Sequence, residues 1–278
     1  MPELPEVETL CRQLHQVIAG APIAEIRVID PKLGTIQGLE GKKVRGIRRL
    51  GKALAIELEG NLLLAIHLRM TGRLLWHKGK GRQPHARLVV CFPHGRIFLI
   101  DPRRFATVTI SRIEDCNTSG IDPLQGFDQP HLWEIAQRSA LPIKSFLMDQ
   151  RRIAGIGNIY ACEILHQARQ YPWRKTDSLS RDEWTQLGAA TKDILTRAIA
   201  CRGTSVSDWR DLFGKTGEHQ NYLSVYGRED MACHRCGEKI QRRKLNGRGT
   251  YFCPRCQNGK GGADNGTMEL QDKHAQAG

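Results

Sequence analysis

Four cysteines near the end of the chain, Cys233, Cys236, Cys253 and Cys256, stand as two C-x2-C pairs separated by sixteen residues. Each pair puts two thiolates on one tight turn, and two such turns complete a tetrahedron. The segment is therefore expected to close around one zinc ion, with a hairpin between the pairs. Four thiolates leave no open coordination position, so the metal's expected role is structural and a zinc hydrolase is disfavoured. The other five cysteines, Cys11, Cys91, Cys116, Cys162 and Cys201, are scattered among apolar neighbours, and an odd total of nine argues against a disulfide framework. Lys239, Arg242, Arg243, Lys244 and Arg248 lie between the pairs, with no acid after Glu238. Fixed cations on a metal-held hairpin suit a nucleic-acid backbone, which rewards them by releasing counterions. On spacing alone, a ribbon for protein contacts stays open.

The charge balance points the same way. Lys and Arg number 42 against 29 Asp and Glu in 278 residues, a formal excess of +13 that suits a polyanionic partner. A well-solvated basic surface is the bland alternative. No apolar run approaches the roughly 18 residues needed to cross a bilayer. The start, Met-Pro-Glu-Leu-Pro-Glu, has no basic or apolar leader character, so a cytoplasmic protein without membrane contact is expected.

Hydrophobic patterning divides the chain. Val7, Leu10, Cys11, Leu14, Val17 and Ile18 repeat at helical spacing and Gly20 follows as a stop, predicting an amphipathic helix over 5–19. Short β-branched and apolar runs follow at 23–29, 43–49, 53–59, 62–68, 86–92, 96–100 and 105–111, the pattern of a sandwich or barrel. Asn117, Gly120, Pro123, Gly126 and Pro130 mark a connection. Beyond it the pattern is helical, at 131–139, 143–149 and 159–169, and then in a helix opened by the capping box Ser180 to Glu183. The expected class is α+β: an N-terminal domain over 1–116, a linker over 117–130, a helical domain over 131–224, the finger over 225–257 and a disordered tail over 258–278.

Two local signals carry chemistry. Pro2 is the residue that removal of Met1 exposes, and its nitrogen then becomes a secondary amine. By ordinary pKa values such an α-amine is unprotonated a few hundredfold more often than a lysine at pH 7, which suits a Schiff-base nucleophile. Glu3 and Glu6 stand close enough to relay protons for opening a sugar ring; the bland reading is a processed terminus with acids favouring a helix dipole. Gly155-Ile156-Gly157-Asn158 fails as a dinucleotide fingerprint, since Tyr160 fills the third glycine position and no strand leads in. It is either an interhelical turn or a glycine hairpin whose amides hold a phosphate.

These signals occur in order with PELPEVET at 2–9, RRLGKALAIEL at 48–58, HLRMTGRL at 67–74, DPRRF at 101–105, IKSFLMDQ and GIGNIYACEIL within 143–165, and VYGRE at 225–229. Together they resemble the formamidopyrimidine-DNA glycosylases from Pro2 to Gln257. The resemblance implies a β-sandwich lobe and a lobe carrying a helix-two-turns-helix motif and zinc finger, with damaged double-stranded DNA between them and the protein acting as a monomer. It implies that Pro2 attacks the sugar, Glu3 donates the proton, Glu6 supports it, and Lys52 assists elimination. Asn158 and Arg248 become phosphate clamps, Arg248 also being linked with the second elimination. Met70, Arg103 and Phe105 become the residues that fill the gap left by an extruded nucleotide; outside the family, Met70 and Phe105 read as core and Arg103 as an ion-pair partner. His67, His85 and Lys144 align with further DNA contacts. The implied reaction is excision of an oxidised purine followed by β,δ-elimination. Ala106 stands where the family has glycine, the region 138–141 is less basic than the family pattern, and 203–222 carries Trp209, Phe213 and His219 in an individual arrangement. The competing classes are an endonuclease VIII-like glycosylase for oxidised pyrimidines and a non-catalytic zinc-finger DNA-binding protein.

Overall fold

A computed structural model describes residues 1–79, 81–116, 120–127 and 129–258. The chain opens with helix α1 (Leu4–Ile18), whose apolar stripe Val7, Leu10, Leu14 and Ile18 is fully buried. Eight strands follow: β1 (Glu25–Val28), β2 (Val44–Leu50), β3 (Ala53–Leu58), β4 (Leu62–His67), β5 (Arg73–His77), β6 (Ala86–Phe92), β7 (Gly95–Ile100) and β8 (Thr107–Arg112). They form two antiparallel four-stranded sheets, in the orders β1-β6-β7-β5 and β2-β3-β4-β8. A core that includes α1, Leu54, Ile56, Leu64, Ile66, Leu88, Val90 and Leu99 joins them. This is the sandwich that the short runs predict.

Strand β5 is not among those runs. Its residues alternate in burial, with Leu74 and Trp76 facing the main core. Leu75 packs on the opposite face against the buried cluster of Val89, Phe98 and Ile100. A strand apolar on both faces loses the alternation that marks a half-buried one.

The helical part contains α2 (Pro123–Gly126), α3 (Pro130–Gln137), α4 (Ile143–Met148), α5 (Asn158–Gln167) and α6 (Arg181–Ala200). The capping box opens α6 as expected: Glu183 N–H donates to Ser180 Oγ at 3.2 Å, and Ser180 N–H to Glu183 Oε2 at 2.8 Å. The stretch read as a connection is packed where it is described. Pro123–Gly126 forms one helical turn, and Asp122 pairs with Arg49 of β2. The short α4, the turns over 149–157 and α5 form the two-turn unit, above a core that includes Phe146, Tyr160, Ile164, Trp184 and Leu187. Leu4 belongs to this second core, so the first turn of α1 is shared between the lobes.

The finger is a two-stranded hairpin, β9 (Gln241–Leu245) with β10 (Arg248–Phe252), between the cysteine pairs. The tail from 259 lies outside the described residues. Among the described residues, no helix is long and apolar enough to cross a membrane.

Candidate active site

The start of the chain is stapled to the two-turn unit. Leu4 N–H donates to Gly155 O at 3.0 Å, and the Glu3 carboxylate accepts from Gly157 N–H (2.8 Å), Ile159 N–H (3.0 Å) and Tyr160 N–H (3.4 Å). Glycine is required on the receiving side. Gly155 has φ +97°, and a Cβ there would lie 2.8 Å from Leu4 Cβ; a Cβ on Gly157 would lie 2.4 Å from the Glu3 carboxyl carbon. The amides at the start of α5 thus hold an internal anion. Of the two readings left open for the glycine hairpin, this contact favours the interhelical turn, since the donors at 157, 159 and 160 are already taken by Glu3.

Fixing Glu3 fixes its neighbour. Pro2 is half-buried and faces a cavity of about 910 Å³ between the lobes, lined among others by Glu3, Glu6, Lys52, Met70, Asn158, Tyr226 and Arg248. The structure therefore brings together all five residues expected to carry chemistry, drawn from α1 and the two residues before it, the β2–β3 turn and the finger hairpin. Lys52 is the second residue of the two-residue turn Gly51-Lys52, with Gly51 at φ +59° as this hairpin class demands. Burial pushes the Lys52 pKa below the usual lysine value, aided by Arg248 and opposed by Glu3 and Glu6.

Glu6 is 2% exposed. Its Oε2 accepts from Glu3 N–H at 2.8 Å, and its Oε1 from Tyr160 Oη–H at 2.6 Å and Thr204 N–H at 2.7 Å. Burial, with the charge of Glu3, raises its pKa against the pull of those donors. Tyr160 and Thr204 are neighbours of Glu6 that the sequence does not single out: Tyr160 stands in GIGNIYACEIL with no role of its own, and nothing near Thr204 signals that its amide meets a carboxylate 198 residues away.

The DNA-contact candidates fall into three groups. Met70 lines the cavity and is 54% exposed, a placement unlike that of a core methionine. Phe105, also exposed, lies with the Arg103 guanidinium 4.7 Å from its ring centroid. The two loops share one anchor, since the buried Asp101 carboxylate accepts from Thr71 Oγ1–H and from Ala106 N–H at 2.7 Å. Asp101 also pairs with Arg87, which reaches Asp30, which in turn holds Arg104. His85 sits outside the cavity lining, at φ +59°, and its carbonyl accepts from Asp101 N–H at 3.0 Å. His67, at the end of β4, accepts from Arg69 N–H through Nδ1 at 3.0 Å. Burial, then Arg69 and Lys52, press its pKa down to about 4, so it is neutral near pH 7.

Lys144 is placed otherwise than a surface DNA contact. It is 1% exposed, and Nζ donates to Asn158 Oδ1 at 2.7 Å, Thr250 Oγ1 at 2.7 Å and Gly249 O at 3.3 Å. All three donors of an ammonium are used inside the protein. Asn158 Nδ2 also donates to Gly249 O, at 3.0 Å, so the two-turn unit and the finger hairpin lock together beside Arg248.

The four cysteine sulfurs lie within 4.8 Å of one another, with Cys236 to Cys253 at 3.4 Å and Cys233 to Cys256 at 4.0 Å. A tetrahedron with zinc-sulfur bonds of about 2.3 Å has sulfurs about 3.8 Å apart, so the donor set fits a metal of that size. These residues form a metal-binding site. The knuckle is tied to α5 from outside: Arg235 donates to His166 O at 3.1 Å, and His166 Nε2 lies 3.4 Å from Cys233 Sγ.

Three family models cover the chain in order: formamidopyrimidine-DNA glycosylase N-terminal domain over residues 1–108, formamidopyrimidine-DNA glycosylase H2TH domain over 120–209, and zinc finger found in FPG and IleRS over 232–259. A formamidopyrimidine-DNA glycosylase of Pelotomaculum thermopropionicum is 37% identical over 273 residues, covering 92% of this chain and 99% of that protein. The chain belongs to the formamidopyrimidine-DNA glycosylase family. Glycosylases of this family act in DNA repair. Solved structures agree. A Lactococcus lactis family variant bound to Fapy-dG-containing DNA matches with TM-score 0.85 at 35% identity, covering 92% of this chain and 100% of that one. The Lactococcus lactis protein bound to DNA containing an abasic site matches with TM-score 0.85 at 35% identity, covering 92% and 99%.

Proposed function

We propose that this protein excises oxidised purines, 8-oxoguanine and formamidopyrimidines, from duplex DNA and then cleaves the abasic strand, with the Pro2 nitrogen as nucleophile. The observation that carries the reading is the staple at the chain's start. Three amides at the start of α5 hold Glu3, and Pro2 beside it lines a cavity that also contains Lys52 and Arg248. With Met1 attached, the Pro2 nitrogen is a tertiary amide and no nucleophile. Met1 is 40% exposed, open to an aminopeptidase, and its removal leaves a secondary amine at that position.

The amine attacks the anomeric carbon of the extruded nucleotide, and the bond to the base breaks. Glu3, a carboxylate at rest, takes the proton that the Pro2 nitrogen loses on forming the new bond and passes it to the ring oxygen as the sugar opens, leaving an iminium between Pro2 and the anomeric carbon, while the departing base takes its proton from water. The iminium withdraws electrons from the adjacent carbon. Loss of a proton there expels the 3′ phosphate, and a second elimination expels the 5′ phosphate, leaving a one-nucleotide gap. Lys52, its pKa lowered by burial, is suited to contact phosphate and take up a proton during elimination. Arg248 and Asn158 grip flanking phosphates, and Arg248 assists the second elimination. Met70, Arg103 and Phe105 enter the space that the nucleotide leaves. Lys144 acts by holding Asn158 and the strand after Arg248, and His67 and His85 contact the DNA or shape its contacts from the loop bases. One zinc ion at the four cysteines holds the finger closed and takes no part in bond breaking. The protein works as a cytoplasmic monomer.

Incubation with duplexes containing 8-oxoguanine opposite cytosine or thymine glycol tests the substrate class. Preferential release of 8-oxoguanine with a one-nucleotide gap is expected. Preference for thymine glycol favours the pyrimidine-directed alternative, and binding without cleavage the non-catalytic one.

A further inference from the structure

His219 lies in the segment over 203–222, which by resemblance matches the loop that closes over an extruded base and whose Trp209, Phe213 and His219 stand in an individual arrangement. It is 2% exposed, and Nδ1 lies 3.2 Å from Thr204 Oγ1. Thr204 Oγ1 lies 2.8 Å from Tyr160 Oη, which lies 2.6 Å from Glu6 Oε1. Four buried side chains thus form one line of hydrogen bonds from the segment over 203–222 to the Glu6 carboxylate beside Glu3, on which Thr204 N–H and Glu3 N–H also converge.

The line has only two consistent polarities. An ionised Glu6 can only accept, so Tyr160 must donate to it. The tyrosine oxygen then accepts from the Thr204 hydroxyl, and the Thr204 oxygen accepts from His219 Nδ1–H. A protonated Glu6 that donates to Tyr160 reverses every bond and ends on a bare Nδ1, with the ring proton on Nε2. The tautomer of His219 and the charge of Glu6 are therefore linked across three hydrogen bonds.

We propose that His219 is a positioning residue whose Nδ1–H tautomer polarises this line and keeps Glu6 an ionised acceptor for the Glu3 amide at the base of the nucleophile. The proposal rests on the catalytic reading above. Two backbone donors, Thr204 N–H to Oε1 at 2.7 Å and Glu3 N–H to Oε2 at 2.8 Å, favour the ionised Glu6 that sets this polarity. Burial, then Arg197, holds the His219 pKa down near 4, so the ring is neutral and contributes one N–H. The rings of Tyr160 and Tyr222 pack on it at 5.8 and 6.4 Å between centroids. At the other end Glu3 opposes ionisation of Glu6 while Lys52 faces both acids, so loss of a donor shifts a finely set balance.

Nitrogen-15 spectroscopy of the ring-labelled protein at pH 7 reads the tautomer with no dependence on activity. The expected result is protonated Nδ1 and bare Nε2; the reverse assignment overturns the proposal. In single-turnover excision, His219→Phe and Thr204→Val are each expected to move the acid limb of the pH profile up by about one unit, the worth of one lost hydrogen bond. His219→Asn, which can restore an N–H donor, is expected to return it. A uniform fall in rate at every pH with the limb unmoved makes His219 merely structural and overturns the proposal. An inactive wild type with the Nδ1–H tautomer refutes the catalytic reading but leaves the line's polarity standing.

Discussion

Replacing Lys144 with methionine separates a phosphate contact from an internal strut. In a direct contact, removing the cation lowers the salt dependence of DNA binding by about 0.9 in the slope of log K against log salt, since one phosphate fewer is neutralised. The structure predicts an unchanged slope, because the ammonium is 1% exposed and its donors are spent on Asn158, Thr250 and Gly249. The cost appears elsewhere. Two bonds of 2.7 Å to a charged donor are lost, and Asn158 Oδ1 and Thr250 Oγ1 lose that partner. Charged hydrogen bonds contribute about 1.5–3 kcal/mol each, and relief from burying the ammonium offsets part of this. The net loss is about 2 kcal/mol, a fall in Tm of about 5 °C. Misplacing Asn158 and the strand after Arg248 should raise Kd about tenfold at every salt concentration, ~1.4 kcal/mol. Binding isotherms from 50 to 300 mM salt on wild type, Lys144→Met and Arg248→Ala give the comparison. Only Arg248→Ala should flatten the slope. A Lys144→Met slope reduced by about one, with Tm unchanged, refutes the strut.

Three further outcomes follow from other parts of the structure. Arg104, then Arg87, holds the Asp30 carboxyl below the usual carboxylate range, so its contribution to stability is full above about pH 4 and is lost as pH falls through its lower folded value. Asp30→Asn should therefore flatten the acid limb of a Tm–pH curve. Asp101→Asn loosens the shared anchor of Thr71 and Ala106, so extrusion of an intact lesion should slow about tenfold while excision at a preformed mismatch bubble slows less; equal losses on both substrates contradict the anchor. Stripping the metal with a chelator should abolish DNA binding and exchange protection of β9 and β10 while leaving the sandwich's thermal transition in place, whereas loss of both together contradicts an independent finger.

Much of the architecture was legible because it rests on local rules. The cysteine spacing located the hairpin, the 3.6-residue stripe located α1, and the Ser180–Glu183 box located the start of α6. What escaped depends on packing across the chain. Strand β5 is apolar on both faces, so no period-2 signal marks it. The role of Gly155 and Gly157 is set by Leu4 and Glu3 packed against them, and the same contact decides between the turn and the phosphate hairpin that the sequence leaves open. Lys144 aligns with a DNA contact, and nothing in the sequence around it signals that the fold buries it against Asn158 and the finger hairpin. Tyr160 stands in the GIGNIYACEIL run without a role assigned to it, and Thr204 and His219 lie outside the quoted motifs; what joins the three is a line of bonds through residues far apart in sequence.

The account stands on the nitrogen of residue 2 becoming joined to the sugar. The most direct measurement is borohydride reduction of the protein on an 8-oxoguanine duplex, followed by proteolysis and mass mapping of the crosslinked peptide. The expected result is one adduct, on the Pro2 nitrogen, formed by protein lacking Met1 and absent from protein that retains it. An adduct mapped to Lys52 or another lysine, or equal trapping with Met1 in place, contradicts the account.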